Sequence, residues 1–270
     1  MGGNSLVNFC DAHFHLIPSE AALGTHSLPR GRGVTAAHFK DEFLAQEARV
    51  KELNALFQKQ KGAAAELIQS FGLHPQEPLL ENLDFLEGLL QEKRIAAIGE
   101  CGFDFFTPEF AANREAQEKA FAAQLDLAAC YQVPALVHAR KAMQEIFAAA
   151  GALKKAPAVV FHSFAGSPAD ASSLLAKGIN AYFSFGKPLM NGAKKAILCV
   201  RSLPQDRLLL ETDAPYQTLK GELATSPQEI ADVYQAAFEI RAAGSPFEAR
   251  PSFFDFTAAI EKNFDKAFGL

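Results

Sequence analysis

Apolar residues cluster along the chain in short runs, most of them closed by a polar residue and followed by a loop and a helical stretch. The runs lie at 7–16, 34–38, 65–74, 95–100, 133–138, 158–162, 181–185 and 207–213. They are too short for helices, and most are rich in β-branched or aromatic residues, so they read as strands. Between them, 41–60 carries apolar residues at Phe43, Leu44, Val50, Leu53 and Phe57, and 109–131 is long and alanine-rich. Both read as helices, as does 253–268. Thr107-Pro108 and Ser167-Pro168 each set an N-cap before a proline at the first helical position. Ser226-Pro227-Gln228-Glu229 adds a capping box to the same device. The stretch 17–33, with Pro18, Pro29, Gly24, Gly31 and Gly33, reads as an irregular loop.

Strands that alternate with helices pair in parallel, either in an open doubly wound sheet or in a closed barrel. The expectation is an α/β fold with one domain over residues 1–270, a (β/α)8 TIM barrel. With 49% hydrophobic and 21% charged residues, the chain has the composition of a packed globular protein, which excludes a disordered one. Its net charge of −5 comes without a basic stripe, so a passive nucleic-acid binder is excluded. If the protein handles phosphates, bound cations must supply much of the positive charge. The four cysteines form no CxxC pair, and no apolar run approaches a membrane span. The first residues lack the pattern of a signal peptide. These features point to a cytoplasmic protein with reduced thiols, away from membranes and with a monomer as the default state.

Candidate chemistry sits where the runs end. Strand alternation puts His13 and His15 on one face, together with Asp11 and Phe9. His74, Glu100, His138, His162 and Asp213 close other runs. Taken singly, each has the ordinary reading of a polar residue at a strand end. Taken together they differ, because in a parallel barrel all carboxyl-terminal strand ends meet on the face where active sites form. Four imidazoles and two carboxylates without cysteine make a mixed nitrogen and oxygen ligand set. Six ligands exceed one tetrahedral ion with an open position and suit two ions sharing a carboxylate. His13, His15 and Asp213 are expected to hold the first ion, His138 and His162 the second, with Glu100 bridging. Two cations about 3.5–4 Å apart lower the pKa of a shared water and steady both oxygens of a displacement.

Six segments follow one another as DAHFHL from Asp11, GLHP from Gly72, IGECGFDFF from Ile98, PALVHAR from Pro134, FHSFAGS from Phe161 and LLLETDAPY from Leu208. In order and spacing they resemble the TatD family of metal-dependent deoxyribonucleases, within the amidohydrolase-like barrels. KNFDKAFGL from Lys262 resembles the family's last helix, so the likeness spans essentially the whole chain. The resemblance implies metal-ligand roles for His13, His15, Glu100, His138, His162 and Asp213. It implies a substrate-facing His74, and it makes Asp104 and Arg140 candidates for binding substrate or supporting a ligand. The implied activity is hydrolysis of DNA phosphodiester bonds by a metal-activated water, with Asp213 also accepting the proton and His74 and Arg140 holding the phosphate. The cofactors are two divalent cations, Mg²⁺, Mn²⁺ or Zn²⁺: the family implies Mg²⁺, whereas histidine-rich donors suit the others better. The acidic surface suits DNA ends or single strands better than long duplex.

The chain departs from the family in places. Ile17 and Pro18 follow HxHL where many relatives carry an acid, and HSFAGS replaces the frequent HCFSGS. Glu100 stands where the related phosphotriesterases use a carboxylated lysine. A metal-dependent amide or ester hydrolase, for example on an aminoacyl ester, and a non-catalytic metal-binding scaffold are the alternatives. Among the remaining residues, Asp11 either orients a ligand histidine or bonds backbone, and Glu211 reads as structural. Cys10, Cys101 and Tyr216 read as packing, His26 and His38 as loop or surface residues, and Lys194 and Lys195 as a solvated pair.

Overall fold

In the computed structural model, which describes residues 7–16, 31–59, 66–243 and 251–270, every apolar run contributes a strand. The strands are β1 (Asp11–Phe14), β2 (Arg32–Ala37), β3 (Glu66–Phe71), β4 (Ala97–Asp104), β5 (Ala135–Arg140), β6 (Val159–Phe161), β7 (Ala181–Phe185) and β8 (Leu208–Leu210). Each pairs with the next, in parallel, in sequence order. The ring closes just past β8. There the Asp213 amide donates to the His13 carbonyl at 2.9 Å, and the His15 amide donates to the Ala214 carbonyl at 2.7 Å. The sheet is therefore the expected (β/α)8 barrel, and closure removes its edges.

β2 begins at Arg32, inside the stretch read as loop, and pairs with β3 at six positions from Arg32↔Glu66 to Ala37↔Phe71. Gly31 shows why glycine precedes it. Its φ is 145°, and a Cβ there would lie 1.7 Å from the Phe9 carbonyl oxygen. The glycine permits close packing of β1's approach rather than marking a loose loop. The rest of that loop reading, with the departures at Ile17 and Pro18 and the reading of His26, lies outside the described residues.

The helices are α1 (Lys40–Lys59), α2 (Leu83–Gln91), α3 (Pro108–Ala112), α4 (Arg114–Tyr131), α5 (Met143–Ala148), α6 (Ala150–Leu153), α7 (Pro168–Ala176), α8 (Lys194–Ser202), α9 (Ile230–Ala243) and α10 (Phe253–Phe268). The stretch 109–131 is thus two helices, parted at Asn113 (φ −90°, ψ 18°). Beside the break, buried Gln117 accepts from the Asp104 amide at 2.9 Å and donates to the Phe110 carbonyl at 2.7 Å, fastening both to the end of β4. Thr107 accepts from the Phe110 amide, and Ser226 with Glu229 closes a capping box ahead of α9. Caps of this kind are worth about 1 kcal/mol each. Among the described residues, no helix is long and apolar enough to cross a membrane.

Side chains divide between lumen and outer layer. Ala12, Val34, Leu136, Val160, Tyr182 and Leu209, from six strands, pack into one cluster inside the ring. Phe264 and Phe268 of α10 join it and close the amino-terminal end. Phe71, Ile98, Cys101, Val137, Phe161 and Phe183 face the helices. His138 and His162 lie two residues beyond the lumenal Leu136 and Val160, so alternation aims them into the barrel mouth.

His13 and Glu100 reach the lumen by a different device. Between Asp11↔Gly33 and Phe14↔Thr35, β1 advances three residues while β2 advances two. Between Ile98↔Ala135 and Cys101↔Val137, β4 does the same against β5. An extra residue reverses the facing of whatever follows it. Ile98 and Cys101 consequently both face outward, and Glu100 between them faces in. On β1, Ala12 is lumenal and Phe14 packs outward on Val50 and Leu53. The simple alternation that placed Phe9 and Asp11 on the histidines' face therefore fails. Phe9 packs outside against Tyr234, at 5.0 Å between ring centroids.

Candidate metal centre

Glu100, at the β4 bulge, is the hub of the barrel mouth. Its Oε1 lies 3.4 Å from His13 Nε2, 3.5 Å from His15 Nε2 and 3.1 Å from His38 Nε2. Its Oε2 lies 2.5 Å from His162 Nε2, 3.2 Å from His138 Nδ1 and 3.8 Å from His74 Nε2. Asp213 Oδ1 closes the first side, 3.4 Å from His13 Nε2 and 3.7 Å from His15 Nε2. One carboxylate thus turns one oxygen to each half of the histidine set. The structure brings together all six expected ligands, with His74 beside them.

His38 is a correction. It closes its own run, as His74 closes another, so its reading as a loop or surface residue fails. Its ring is 15% exposed and reaches Glu100 across the mouth. The rule that selected His74 selects it too, because β2 delivers its end to the same rim as β3.

The charge pattern follows from crowding acids and imidazoles out of water. Burial works against the Glu100 carboxylate, yet His162, His13 and His74 outweigh it and hold its pKa well below the usual range. Burial likewise opposes charge on His162, but Glu100 prevails and pushes that pKa up to about 9. On His15 and His74 burial wins, and both are lowered. The Gln76 amide donates to His74 Nδ1 at 3.2 Å, which leaves the neutral ring's proton on Nε2, facing the cluster.

The donor set fits divalent cations. Both ring nitrogens of buried His13 and Nδ1 of His162 lack a hydrogen-bond partner. His138 Nδ1 and His162 Nε2 stand 3.0 Å apart, and both also face Glu100 Oε2. Donor atoms of His13, His15 and Asp213, of His13, Glu100 and His162, and of His74, Glu100 and His138 form groups within 4.8 Å. Buried nitrogen and carboxylate oxygen in this density are the chemistry of a metal site.

A second set of residues fixes these groups. Asp104 Oδ2 accepts from His138 Nε2 at 3.1 Å and from Gln76 at 2.8 Å, and Oδ1 accepts from the Phe106 amide at 2.8 Å. Both oxygens are engaged and the side chain is buried, so Asp104 turns His138 rather than facing the open mouth. Arg140 stands at the exposed rim, its guanidinium 3.7 Å from the Phe106 ring centroid and outside the cluster. Asp11 bonds the Thr212 hydroxyl at 2.6 Å and the Thr212 amide at 3.0 Å, pinning β1 to the end of β8. Of its two readings, the geometry takes the one that bonds backbone. Glu211 makes the structural bond expected of it, accepting from the Ser163 amide at 2.7 Å, and also lies 3.8 Å from His162 Nδ1.

Gln217 went unnoticed in the sequence. Its Nε2 donates to Asp213 Oδ2 at 2.8 Å and to Ser163 Oγ at 2.9 Å. It occupies a left-handed turn (φ 52°) that no periodicity announces. Tyr216 is 58% exposed with its ring edge on His15, at 5.1 Å between centroids. It lines the mouth instead of packing in the core. Cys10 and Cys101 are buried, and burial pushes the Cys10 thiol up to about 12, in keeping with packing.

Eight parallel strands closed round a lumen, with imidazoles and carboxylates gathered at the carboxyl mouth, define a metal-dependent hydrolase barrel. The TatD related DNase family matches residues 10–269, and the chain belongs to it as a TatD-type metal-dependent hydrolase. The chain is 33% identical to the 3'-5' ssDNA/RNA exonuclease TatD of Cronobacter sakazakii over 220 residues, 73% of this chain and 81% of that protein. The Cronobacter turicensis protein of the same description is 37% identical over 164 residues, 58% of this chain and 60% of that one. The crystal structure of YjjV, a TatD homologue from Escherichia coli K12, superposes with a TM-score of 0.77 at 26% identity, covering 97% of this chain and 98% of that one.

Proposed function

We propose that the protein hydrolyses phosphodiester bonds of DNA at ends or in single strands, with two divalent cations bound at the barrel mouth. One observation carries this reading: Glu100 turns Oε1 to His13 and His15 and Oε2 to His138 and His162. That is the disposition of a carboxylate shared between two ions. His13, His15 and Asp213 would hold the first ion, and His138 and His162 the second. When bound, such a pair supplies an acidified water and neutralises phosphoryl oxygens. The relatives named as ssDNA/RNA exonucleases support a single-stranded substrate.

The chain's own groups do the remainder. Asp213 turns Oδ1 to His13, where it would help hold the first ion, and Oδ2, steadied by the Gln217 amide, would accept a proton from the water. His74 Nε2–H, neutral at working pH, donates to a non-bridging phosphate oxygen. Asp104 keeps the His138 ring in the tautomer that presents Nδ1 to the cluster. Arg140 at the rim meets the phosphate of an incoming strand.

The test is metal-stripped protein with end-labelled single-stranded and duplex DNA, adding Mg²⁺, Mn²⁺ or Zn²⁺ separately. Glu100→Ala runs alongside, and bound metal is counted in both proteins. The expected result is cation-dependent cleavage, faster on single strands, that falls at least about 10³-fold in Glu100→Ala, beyond the loss of a single oxyanion-hole donor. Two ions bound to the wild type without cleavage of any DNA would overturn the nuclease reading and turn attention to ester and amide substrates.

A further inference from the structure

Beside the His162 wall of the mouth, the loops after β6 and β7 enclose a half-open cavity of about 390 Å³. That lies within the range of small-ligand sites, about 300–1,000 Å³. Phe164 and Phe185 form its floor, with Pro188 and Ala193 at the side. Lys194 and Lys195, the first residues of α8, stand at its rim. Nearby Lys187 is buried, with its ammonium held between Glu222 and Glu229. Lys194 and Lys195 are exposed, and no ion pair among the described residues engages them. On a chain of net charge −5, this is a local inversion of sign beside an apolar hollow.

The cavity adjoins the metal centre. Ser163, which lines it, directly follows His162, and its hydroxyl accepts from Gln217 Nε2 at 2.9 Å. The same amide donates to Asp213 Oδ2 at 2.8 Å. Gly186 keeps the partition thin, since a Cβ there would lie 2.6 Å from Gln217 Oε1. Gln217 thus bonds both a lining residue of the cavity and Asp213.

We propose that this cavity seats an unpaired nucleotide adjoining the scissile phosphate, with its base over the apolar floor and its next phosphate between Lys194 and Lys195. The inference rests on the nuclease reading and deepens it. Proteins that hold single strands join apolar platforms for bases to cations that track the backbone. A paired base cannot enter a hollow of this kind, so the cavity selects single strands or frayed ends.

Two variants test it, Ala165→Trp, which fills the cavity from an exposed lining position, and the double change Lys194→Ala with Lys195→Ala. Each is assayed with cations on a thymidine oligonucleotide and on bis(p-nitrophenyl) phosphate, a diester with no neighbouring nucleotide. Oligonucleotide binding is also followed by fluorescence anisotropy in EDTA across a salt series. Both variants should hydrolyse the small diester within about twofold of wild type and lose roughly 10-fold in kcat/KM on the oligonucleotide. The lysine variant should also lower the slope of log affinity against log salt by about 1.4, for two phosphate contacts on a single strand. If both variants bind and cleave the oligonucleotide as wild type does, the subsite is overturned and the nuclease reading stands. Equal loss on both diesters would make the cavity a support for the metal site and likewise overturn it. A wild type that cleaves neither diester removes the nuclease reading first, and the subsite with it.

Discussion

The two ends of the barrel are built from the same strands and obey opposite rules. At the amino-terminal end, Phe264 and Phe268 of α10 pack on Ala97, Ala158 and Val160, and the Asn263 amide donates to the Gln205 and Leu208 carbonyls at 2.7 and 2.9 Å. Apolar surface is covered there and those amide protons are matched. At the carboxyl end, six imidazoles crowd Glu100, and buried His13 finds no hydrogen-bond partner for either ring nitrogen. One end is complete in itself. The other is completed only by something from outside, which is how a fold separates stability from chemistry along a single axis.

The largest effect that sharpens this contrast is expected from Phe264→Ala. Removing a fully buried phenylalanine from a lumen that cannot collapse should cost about 3–5 kcal/mol. For a chain of this size that lowers Tm by roughly 6–20 °C. Cation affinity, measured by calorimetry well below Tm, should stay within about twofold of wild type, since α10 lies at the far end from the ligands. A parallel fall in cation affinity would show that the ends are coupled and break the comparison.

The amino-terminal half of this picture was easier to read than the other. Runs such as AVVFH and AYFSF announce strands because lumen and outer layer are both apolar, and the helix starts at Thr107, Ser167 and Ser226 follow from local capping chemistry. The candidate ligands stand out because strands end where the site must be. Three things had no such sign. The extra residues in β1 and β4 are set by pairing with β2 and β5, so nothing local shows that His13 and Glu100 change face there. Gln217 reaches Asp213 from a turn whose path depends on tertiary contacts. The break at Asn113 depends on Gln117 bonding back to β4. His38 is different, since its place at the end of a run was visible and the strand-end rule had only to be applied once more.

A smaller effect should separate residues that hold the cluster from residues that ring it. Asp104→Asn leaves size and burial nearly unchanged but weakens the acceptor behind His138. Partners of ligand histidines typically contribute 10–100-fold in metal affinity, so calorimetric titration should show a loss of that order. Arg140→Ala, at the exposed rim, should leave cation affinity unchanged and raise KM for DNA instead. Should Asp104→Asn raise KM with cation affinity intact, Asp104 would belong with the substrate contacts.

The gentlest probe is pH, and it acts on only one end of the barrel. His162 is held at about 9 against an ordinary 6.5, because Glu100 overcomes the cost of burying the imidazolium. In the cation-free protein a raised histidine contributes stability that is fully present below pH 6.5 and lost as pH rises through about 9. His13 and His138 are raised as well and act in the same direction. His15 and His74 are lowered, so they oppose this slope only at the lower edge of the window, where the unfolded chain still binds part of a proton at each, and fall silent as pH rises further. Cations need the same lone pairs deprotonated, so their affinity must run the other way, weakening by about tenfold per pH unit below 9 for each proton displaced. Metal-free protein should therefore melt at a lower temperature at pH 9 than at pH 6.5, while Zn²⁺ titrated over the same interval binds more tightly and releases fewer protons. Because Phe264 carries no titrating group, Phe264→Ala should lower the melting curve without changing its slope and leave the Zn²⁺ curve in place. A melting temperature of the metal-free protein that rises with pH across this interval would mean that the imidazoles are not held by Glu100 as described.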